Sequence, residues 1–381
     1  MPLRLPPATL DPSLINQVLA GNTARIQWKD YKCELLTPLY GGGVEAGKVD
    51  RNMPVRASAI RGQLRFWWRL LAQHKWHLDD IRAEEFDLWG GLDAHNIHAS
   101  RVWVRVVGTS KLKEDSWKKA NAPYALFPAR DRNALLVQPG LTWILRVGFD
   151  SRLDGDVQTR VDETLRWWAS FGGVGARTRR GLGAVWVQGL DTITLEEAKA
   201  AGCQLVIGNK ASDPTKAWTD AVAKLKDFRQ KPSFARNKGP GRSLWPEPDA
   251  IRSITGTCVL RHKPVHKAGK VFPRAAFGLP IIFHFKDKGD PADHTLQAQN
   301  HDRLASPLIL RPYSADGITW AAAALLLPHK HVDHMELELK AGKTTHSIHP
   351  YWQPEKAKDV PPLASTQGKD ALSAFLEFFK K

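Results

Sequence analysis

Cationic and aromatic side chains recur at helical spacing in the first quarter of the chain. Arg61, Arg65 and Arg69 follow one another every four residues, Arg56 precedes them, and Trp68 lies beside them. On an α-helix this spacing places the guanidinium groups on one face. Such a row beside an aromatic ring can hold consecutive phosphates and stack on a base or ribose. The stretch therefore predicts an anion-binding helix face.

A second group of cations lies in a glycine-rich stretch at residues 171–183, between a predicted helix and a predicted strand. Glycine permits positive φ and close backbone approach, so successive N–H groups can form an anion nest beneath arginine side chains. We expect this loop and the helix face to converge on one groove for a phosphodiester backbone. The predicted contacts in the loop are Gly173, Gly175, Arg177, Arg179, Arg180 and Gly181.

The charge of the chain agrees with an anionic partner. Lys and Arg number 55 and Asp and Glu 39, which gives a net charge of +16, and the isoelectric point is near 9.8. Residues 51–78, 164–190 and 250–286 contain no carboxylate. Clustered cations of this kind are typical of proteins that bind nucleic acid. Secondary candidates for the same contact are Lys238, Arg242 and Arg274.

Composition excludes several other classes of protein. The chain has 381 residues, of which 43% are hydrophobic, as expected for a globular protein of two domains. No apolar run approaches the roughly 20 residues of a membrane span, and the N-terminus does not read as a secretory signal. Cys33, Cys203 and Cys258 are too far apart to indicate a disulfide framework or a cysteine-rich zinc site. We therefore expect a soluble, cytoplasmic protein without membrane contact.

Hydrophobic periodicity predicts an α+β fold with the order β-α-β-β-α-β in the first half. This is the order of the ferredoxin-like split βαβ unit. We predict two ferredoxin-like domains, residues 1–190 and a more decorated 191–381 that closes with a C-terminal helix. In the first half, the predicted strands are 31–39, 101–107, 141–149 and 182–188, and the predicted helices 56–76 and 157–170. In the second half, the predicted helices are 195–201, 215–228 and 371–380, and the predicted strands 256–261, 281–285, 307–310, 318–327 and 335–340.

Familiar cofactor motifs do not fit. A G-x-G-x-x-A string begins at Gly41, but the next predicted helix starts too late to offer its N-terminus to a pyrophosphate. Residues 341–344 resemble the end of a Walker loop, yet Leu337 stands where the first glycine is required. Residues 180–187 follow an RNA-recognition pattern but carry aliphatic residues at its aromatic positions. No cofactor is predicted.

Catalytic and metal-binding candidates are weak. His329, His331 and His334 lie close together but lack a supporting carboxylate pattern, so no metal is expected. A nuclease needs a base next to the bound RNA, and no candidate has a partner at a fixed spacing. The chain is therefore predicted not to be an enzyme. The candidates for a general base are Asp50, His74 and His266.

Several of these segments resemble a known family. Residues 36–42 and 56–69 resemble the N-terminal signature of RAMP proteins from type III CRISPR effectors, and specifically the first RAMP subunits of the Cmr (type III-B) complex. The resemblance spans about residues 30–312 and includes further motifs at residues 171–183, 272–280 and 303–308.

The resemblance implies a non-catalytic subunit of a ribonucleoprotein in antiviral defence. Such a subunit holds the 3′ part of the CRISPR RNA and helps to engage single-stranded target RNA, beside other Cmr effector subunits. Two alternatives remain open. One is a metal-independent RAMP endoribonuclease that processes CRISPR precursor RNA, and the other is a protein scaffold that is basic because its neighbours are acidic.

Overall fold

The structure is a computed structural model in which helices and antiparallel sheets alternate along the chain, which confirms the predicted α+β class. His331 and His334 lie outside the described residues. The described residues are Ser13, 25–92, 96–238, 242–330 and 335–381.

Four strands of the first half form one antiparallel sheet. They are β1 (Ile26–Leu35), β2 (Val102–Val107), β3 (Thr142–Asp150) and β4 (Val185–Val187). The sheet has the order β2-β3-β1-β4, so the first strand in sequence is central. β1 pairs with β3 over most of its length and with β4 near its end. The end of β1 and the start of β4 are thereby fixed beside each other.

Three longer helices belong to this half: α1 (Ala57–His74), α2 (Ile81–Trp89) and α3 (Gly155–Phe171). α1 and α3 pack together against the sheet because each has an apolar face, and the rings of Trp67 and Trp167 lie 5.6 Å apart. The polar face of α1 points away from this core and carries the arginines.

The described residues of the second half form two more sheets and, besides shorter segments, four further helices. In chain order these elements are α4 (Leu195–Ala200), β5 (Gln204–Ala211), α5 (Pro214–Gln230), α6 (Glu247–Thr255), β6 (Ile281–Phe283), β7 (His294–Ala298), β8 (Leu308–Tyr313), β9 (Trp320–Leu326), β10 (Leu337–Ala341), β11 (Thr344–Ile348) and α7 (Ala371–Lys380).

Shorter elements complete the chain. The paired short strands are Gly91–Leu92 with Ile97–His98 and Glu114–Ser116 with Leu135–Val137, the short helices are Phe127–Asp131 and Pro361–Ala364, and the 3-10 turns are Trp117–Ala120, Thr178–Arg180, Leu260–His262, Pro273–Phe277 and Pro354–Asp359.

The second half is organised around the sheet β8-β9-β5. Helices α5 and α7 pack against this sheet and against each other. A separate antiparallel sheet has the order β6-β7-β10-β11. One apolar core includes α1, α3 and the first sheet as well as Leu205, Ile309 and Leu325 of the second half. The two halves therefore share a core across residues 189–192, where the sequence indicated a boundary.

The predicted strand at residues 256–261 is wrong. This segment is a loop that ends in a 3-10 turn. Within it, the amide of Val259 donates to the buried carboxylate of Asp290, at 3.3 Å, instead of to a neighbouring strand. Backbone donors need a partner when buried, and here side chains supply it.

Candidate functional site

The arginines of α1 do share a face, but that face is not free of acid. The Arg65 Nε donates to a carboxylate oxygen of Glu85 at 2.6 Å, and Arg69 donates to the same oxygen at 2.5 Å. The Glu85 side chain is only 6% exposed. The acid comes from α2, outside the acid-free window, so the expectation of an unbalanced cationic face is corrected. For Arg61, burial and the charge of Arg65 lower the pKa of the guanidinium.

The ring expected to stack on a base lies in the core. Trp68 is 2% exposed and packs against Trp76, with ring centroids 6.1 Å apart. This corrects the expectation that Trp68 meets a nucleotide. The neighbouring Phe66 is partly exposed and lies beneath the guanidinium of Arg179, 5.4 Å from the ring centroid. Phe66 is thus the aromatic side chain of α1 placed to contact a ligand, and sequence reasoning missed it.

The glycine-rich loop is not an open anion nest. The Gly173 amide donates to the Gln63 side chain at 3.1 Å, and the Gly181 amide donates to the Thr178 carbonyl at 2.9 Å. At Gly175, φ is +79°, and an added Cβ would lie 2.8 Å from the carbonyl oxygen of Tyr40. The glycines allow close packing of the loop against neighbouring backbone. The expectation that the amides of Gly173 and Gly181 bind phosphate is corrected, because both already have partners in the protein.

Arg180 is likewise committed to the protein interior. Its guanidinium donates to the carbonyls of Leu308, at 3.1 Å, and Phe277, at 3.3 Å. Burial lowers its pKa to about 10. Arg177 lies over the Phe127 ring, 4.6 Å from its centroid, and its buried Nε has no hydrogen-bond partner among the described residues. Arg180 therefore joins the loop to the second half, and carbonyl groups occupy its guanidinium.

A buried arginine of β8 makes the reciprocal connection. Arg311 is 4% exposed and donates to the carbonyls of Gly172, at 3.1 Å, and Val185, at 3.0 Å. Burial lowers the pKa of Arg311 to about 9. Sequence reasoning missed this residue, because nothing in its neighbourhood along the chain indicates a contact 126 residues away. The two halves are thus joined by arginine–carbonyl bonds running in both directions.

A cleft of about 920 Å³ opens between α1 and the second half. Arg69 enters it from α1, Arg179 from the glycine-rich loop and Lys330 from the segment after β9, and Phe66 forms part of its wall. None of the described residues that line it is Asp or Glu. The expected convergence therefore holds for Arg69 and Arg179. The other lining residues are Leu70, Gln73, His74, Ile81, Gly202, Gln204, Leu304, Ala305, Pro307, Leu326, Leu327, Pro328 and His329.

Within the cleft, His74 is held uncharged at neutral pH. Burial lowers the pKa of His74, and the nearby charges of His77 and Lys330 lower it further. The bond between Arg179 and the carbonyl of Ser306 fixes the opposite wall. The cleft thus combines fixed cations with a histidine that can gain a charge.

The remaining predicted contacts lie apart from this cleft. Arg56 makes a long contact to the Gly43 carbonyl, at 3.5 Å, and Lys238 is exposed. Arg242 is paired with Asp249, at 2.9 Å. Arg274 is paired with the fully buried Glu247, at 3.0 Å. The guanidinium groups of Arg242 and Arg274 therefore meet carboxylates inside the protein, which corrects their assignment as free contacts.

Two of the candidate general bases form hydrogen bonds with backbone groups. Asp50 accepts the amides of Asn52, at 2.9 Å, and Met53, at 3.1 Å, and so shapes its own loop. His266 bonds to the Leu244 carbonyl, at 3.1 Å. Of the three candidates, His74 is the one that lines the cleft.

One described group has the composition of a metal site. Ligand atoms of His262, Asp287 and Asp290 lie within 4.8 Å of one another. Arg261 pairs with Asp287, and Arg252 pairs with Asp290, each at 2.8 Å. Because cationic side chains already neutralise both carboxylates, the arrangement fits an ion-pair network better than a metal centre.

Comparisons with known proteins agree with this architecture. Residues 32–186 match the family model of the RAMP superfamily. No curated protein sequence matches the chain. The chain is similar to the crystal structure of Cmr1 from Pyrococcus furiosus in its apo form, with a TM-score of 0.51 and 15% identity, over 79% of this chain and 88% of that one. This likeness shows a shared fold.

Chains of larger assemblies are also similar. One belongs to the type III-B Cmr-beta bound to cognate target RNA, with a TM-score of 0.46 and 12% identity, over 80% of this chain and 95% of that one. Another belongs to Cmr-beta bound to cognate target RNA and AMPPnP in the presence of single-stranded DNA, with a TM-score of 0.47 and 10% identity, over 92% and 97%. Among the described residues, no helix has the length and apolar character needed to cross a bilayer.

Proposed function

We propose that this protein is a non-catalytic, RNA-binding subunit of a cytoplasmic type III-B CRISPR effector, and that it acts in antiviral defence. It holds the 3′ part of the CRISPR RNA, helps to engage target RNA and works beside other Cmr subunits. The RAMP match over residues 32–186 and the fold shared with Cmr1 support this proposal. The observation that carries it is the acid-free cationic cleft between the two halves.

Within the α+β class, we propose that both halves of the chain are ferredoxin-like. The sheet order β2-β3-β1-β4 and the packing of α1 with α3 support a ferredoxin-like first unit. The order β8-β9-β5 repeats the relative positions of the second, third and first strands of that unit, with α5 in the place of its first helix. We accordingly propose a second, incomplete ferredoxin-like unit.

The cleft has the chemistry to hold a single strand. Arg69, Arg179 and Lys330 present cations from three separate segments, which suits successive phosphates along a backbone. Phe66 and Leu70 offer an apolar wall for a ribose or base. Phosphate contacts position a strand without reading its sequence, so specificity would come from pairing between guide and target.

Binding of single-stranded RNA by the purified full-length chain tests this proposal. Lys330→Glu places a negative charge at the mouth of the cleft, where the native side chain is exposed. We expect it to weaken binding about tenfold and to reduce the salt dependence, which is about 0.7 in log K per phosphate contact. Lys226→Glu, at an exposed position of α5 outside the cleft, is the control with the same charge change. Equal binding by the two variants would contradict the cleft as the RNA site.

Incubation with labelled precursor RNA in EDTA separates the proposal from an endoribonuclease. A binding subunit leaves the RNA intact, whereas a metal-independent nuclease yields discrete fragments. Fragments that disappear in His74→Gln would replace the proposal with the enzyme. Absence of RNA from the purified, salt-washed assembly would favour a protein scaffold.

A further inference from the structure

A second cationic surface lies on the loops that flank α6, away from the residues that line the cleft. Residues 231–238 precede this helix and residues 256–270 follow it, and neither loop contains Asp or Glu. The side chains of six exposed cations in these loops have no hydrogen bond or ion pair within the described part of the chain. They form what we call the α6 surface: Lys231, Arg236, Lys238, Lys263, Lys267 and Lys270.

Buried carboxylates hold these loops in place. Asp249, whose side chain is 8% exposed, accepts Arg242 at 2.9 Å. Arg242 follows the first loop, and its carbonyl accepts the amide of Asn237 in that loop at 3.0 Å. The same carboxylate accepts the amides of Val265, at 2.9 Å, and His266, at 3.0 Å, from the second loop. Arg242 also donates to the Lys263 carbonyl. One buried aspartate thus connects both loops, and their positions are fixed before any ligand arrives.

Three acids of this region are turned inward, whereas Asp287, whose side chain is 34% exposed, pairs with Arg261 of the second loop. Glu247 is fully buried and pairs with Arg274. Asp290, whose side chain is 2% exposed, pairs with Arg252 and His262. Like Asp249, these carboxylates form ion pairs with cations inside the protein, so they do not neutralise the exposed lysines of the α6 surface. Elsewhere on the chain, exposed cations such as Lys29 do pair with carboxylates.

We infer that the α6 surface is a second RNA-backbone site, distinct from the cleft. An array of six unpaired cations on two fixed loops suits a ligand with evenly repeated negative charge. Because the loops are already ordered, the protein loses little conformational freedom on binding. The inference rests on the proposed function for the identity of the ligand as RNA. The alternative ligand is an acidic polypeptide. Leu260 and Val265 of the second loop are 80% and 68% exposed, and they could pack against apolar side chains of such a polypeptide.

The turn at residues 273–277 connects the two sites. Its Phe277 carbonyl accepts Arg180 of the glycine-rich loop, at 3.3 Å. Its Arg274 amide donates to Glu247 at the start of α6, at 2.9 Å. Pro273 also lies in the same small pocket as His329, which lines the cleft. The turn therefore links the glycine-rich loop to the start of α6 through bonds inside the protein.

The test measures RNA affinity against salt concentration, with the full chain and a polyuridylate of about 30 nucleotides. The triple variant Lys263→Ala, Lys267→Ala, Lys270→Ala should bind about tenfold more weakly and lower the salt slope by about 2. Combination with Lys330→Glu should weaken binding further, because the two sites are separate.

The control is the triple variant Lys111→Ala, Lys113→Ala, Lys118→Ala, which removes the same charge from exposed positions of the first half. Both triple variants should unfold at the midpoint temperature of the native chain, which would show that the fold is retained. An unchanged slope in the α6 variant, with Lys330→Glu still weakening binding, would overturn the α6 site and leave the proposed function intact. Failure of the native chain to bind RNA would overturn both. Loss of polyglutamate binding without loss of RNA affinity would assign the surface to an acidic polypeptide.

Discussion

Glu85 sets the net charge of the cationic face of α1. It accepts Arg65 and Arg69 through one oxygen, and its side chain is 6% exposed. Two guanidinium groups on one carboxylate leave an excess of one positive charge. The carboxylate therefore positions Arg69 at the cleft wall and at the same time weakens its attraction for an anion.

Glu85→Gln should strengthen RNA binding. The amide keeps the shape of the side chain and an oxygen acceptor but removes the negative charge, so Arg65 and Arg69 attract phosphate more strongly. We expect a gain of roughly threefold in affinity, since the pair is partly exposed and screened. Glu84→Gln is the matched control, because Glu84 is half-exposed and pairs with Arg160 at 3.6 Å. A gain that is equal in both variants would contradict a specific effect of Glu85.

RNA affinity should rise as the pH falls below about 6.5, the ordinary pKa of histidine. Burial, His77 and Lys330 lower the pKa of His74 in the free protein. Because the folded pKa lies below the unfolded one, the protein loses stability as the pH falls from the unfolded pKa towards the folded one. A phosphate in the cleft would raise that pKa, and binding would then take up a proton. Affinity measured between pH 5.5 and 8 should show a smaller rise in His74→Gln. His349→Gln, at an exposed position after β11, should retain the native rise.

The sequence predicted which cations share a helix face but not which residues they pair with. The spacing of Arg61, Arg65 and Arg69 placed them on one helix face because helical geometry is local. Glu85 and Arg311 act across elements whose packing is not encoded by spacing. The same limit explains Trp68, since an aromatic residue beside a cationic face can equally turn into the core.

At the scale of elements, the glycine-rich loop is a tightly packed connection. Gly183 has φ of +65°, and an added Cβ would lie 2.9 Å from the carbonyl carbon of Val174. The Gly183 amide donates to the Pro38 carbonyl, at 2.9 Å, next to the end of β1. These contacts bring the loop against the central strand of the first sheet, and they position Arg179 at the cleft.

Gly183→Ala should destabilise the protein by more than about 3 kcal/mol, because it combines a left-handed backbone with a clash against fixed backbone. Gly189→Ala is the matched control, since φ is +81° there and no atom lies within 4 Å of an added Cβ. We expect it to cost about 1 kcal/mol. Urea unfolding of both variants gives the difference. Equal losses would mean that the loop relaxes without cost.

Five of the longer helices and most strands could be predicted because their apolar periodicity is local, whereas α2 and α6 were missed. α7 is observed at the predicted residues 371–380, and α1 and α3 differ from prediction by a few residues at their ends. β5 was missed, since residues 204–211 carry polar and charged side chains over their exposed second half. The segment at residues 256–261 has strand-forming residues but does not pair with a strand, and Asp290 takes the amide of Val259.

At the scale of the molecule, charge and fold are linked. The excess of +16 is visible in the sequence, but its location depends on which acids are buried. Burial of Glu247, Asp249 and Asp290 beside internal arginines leaves the outer loops of the second half basic. A net charge alone could not distinguish this arrangement from an even scatter.

The two halves should unfold together. Leu205, Ile309 and Leu325 of the second half belong to the core of the first, and arginine–carbonyl bonds run in both directions between the halves. We expect a single thermal transition. Arg311→Lys retains the charge but cannot reach both carbonyls, so it should lower the stability by about 1–3 kcal/mol and move the whole transition. Arg236→Lys, exposed and unpaired among the described residues, should leave it in place. Two separate transitions in the native chain, or a shift of only one part in Arg311→Lys, would show that the halves are independent.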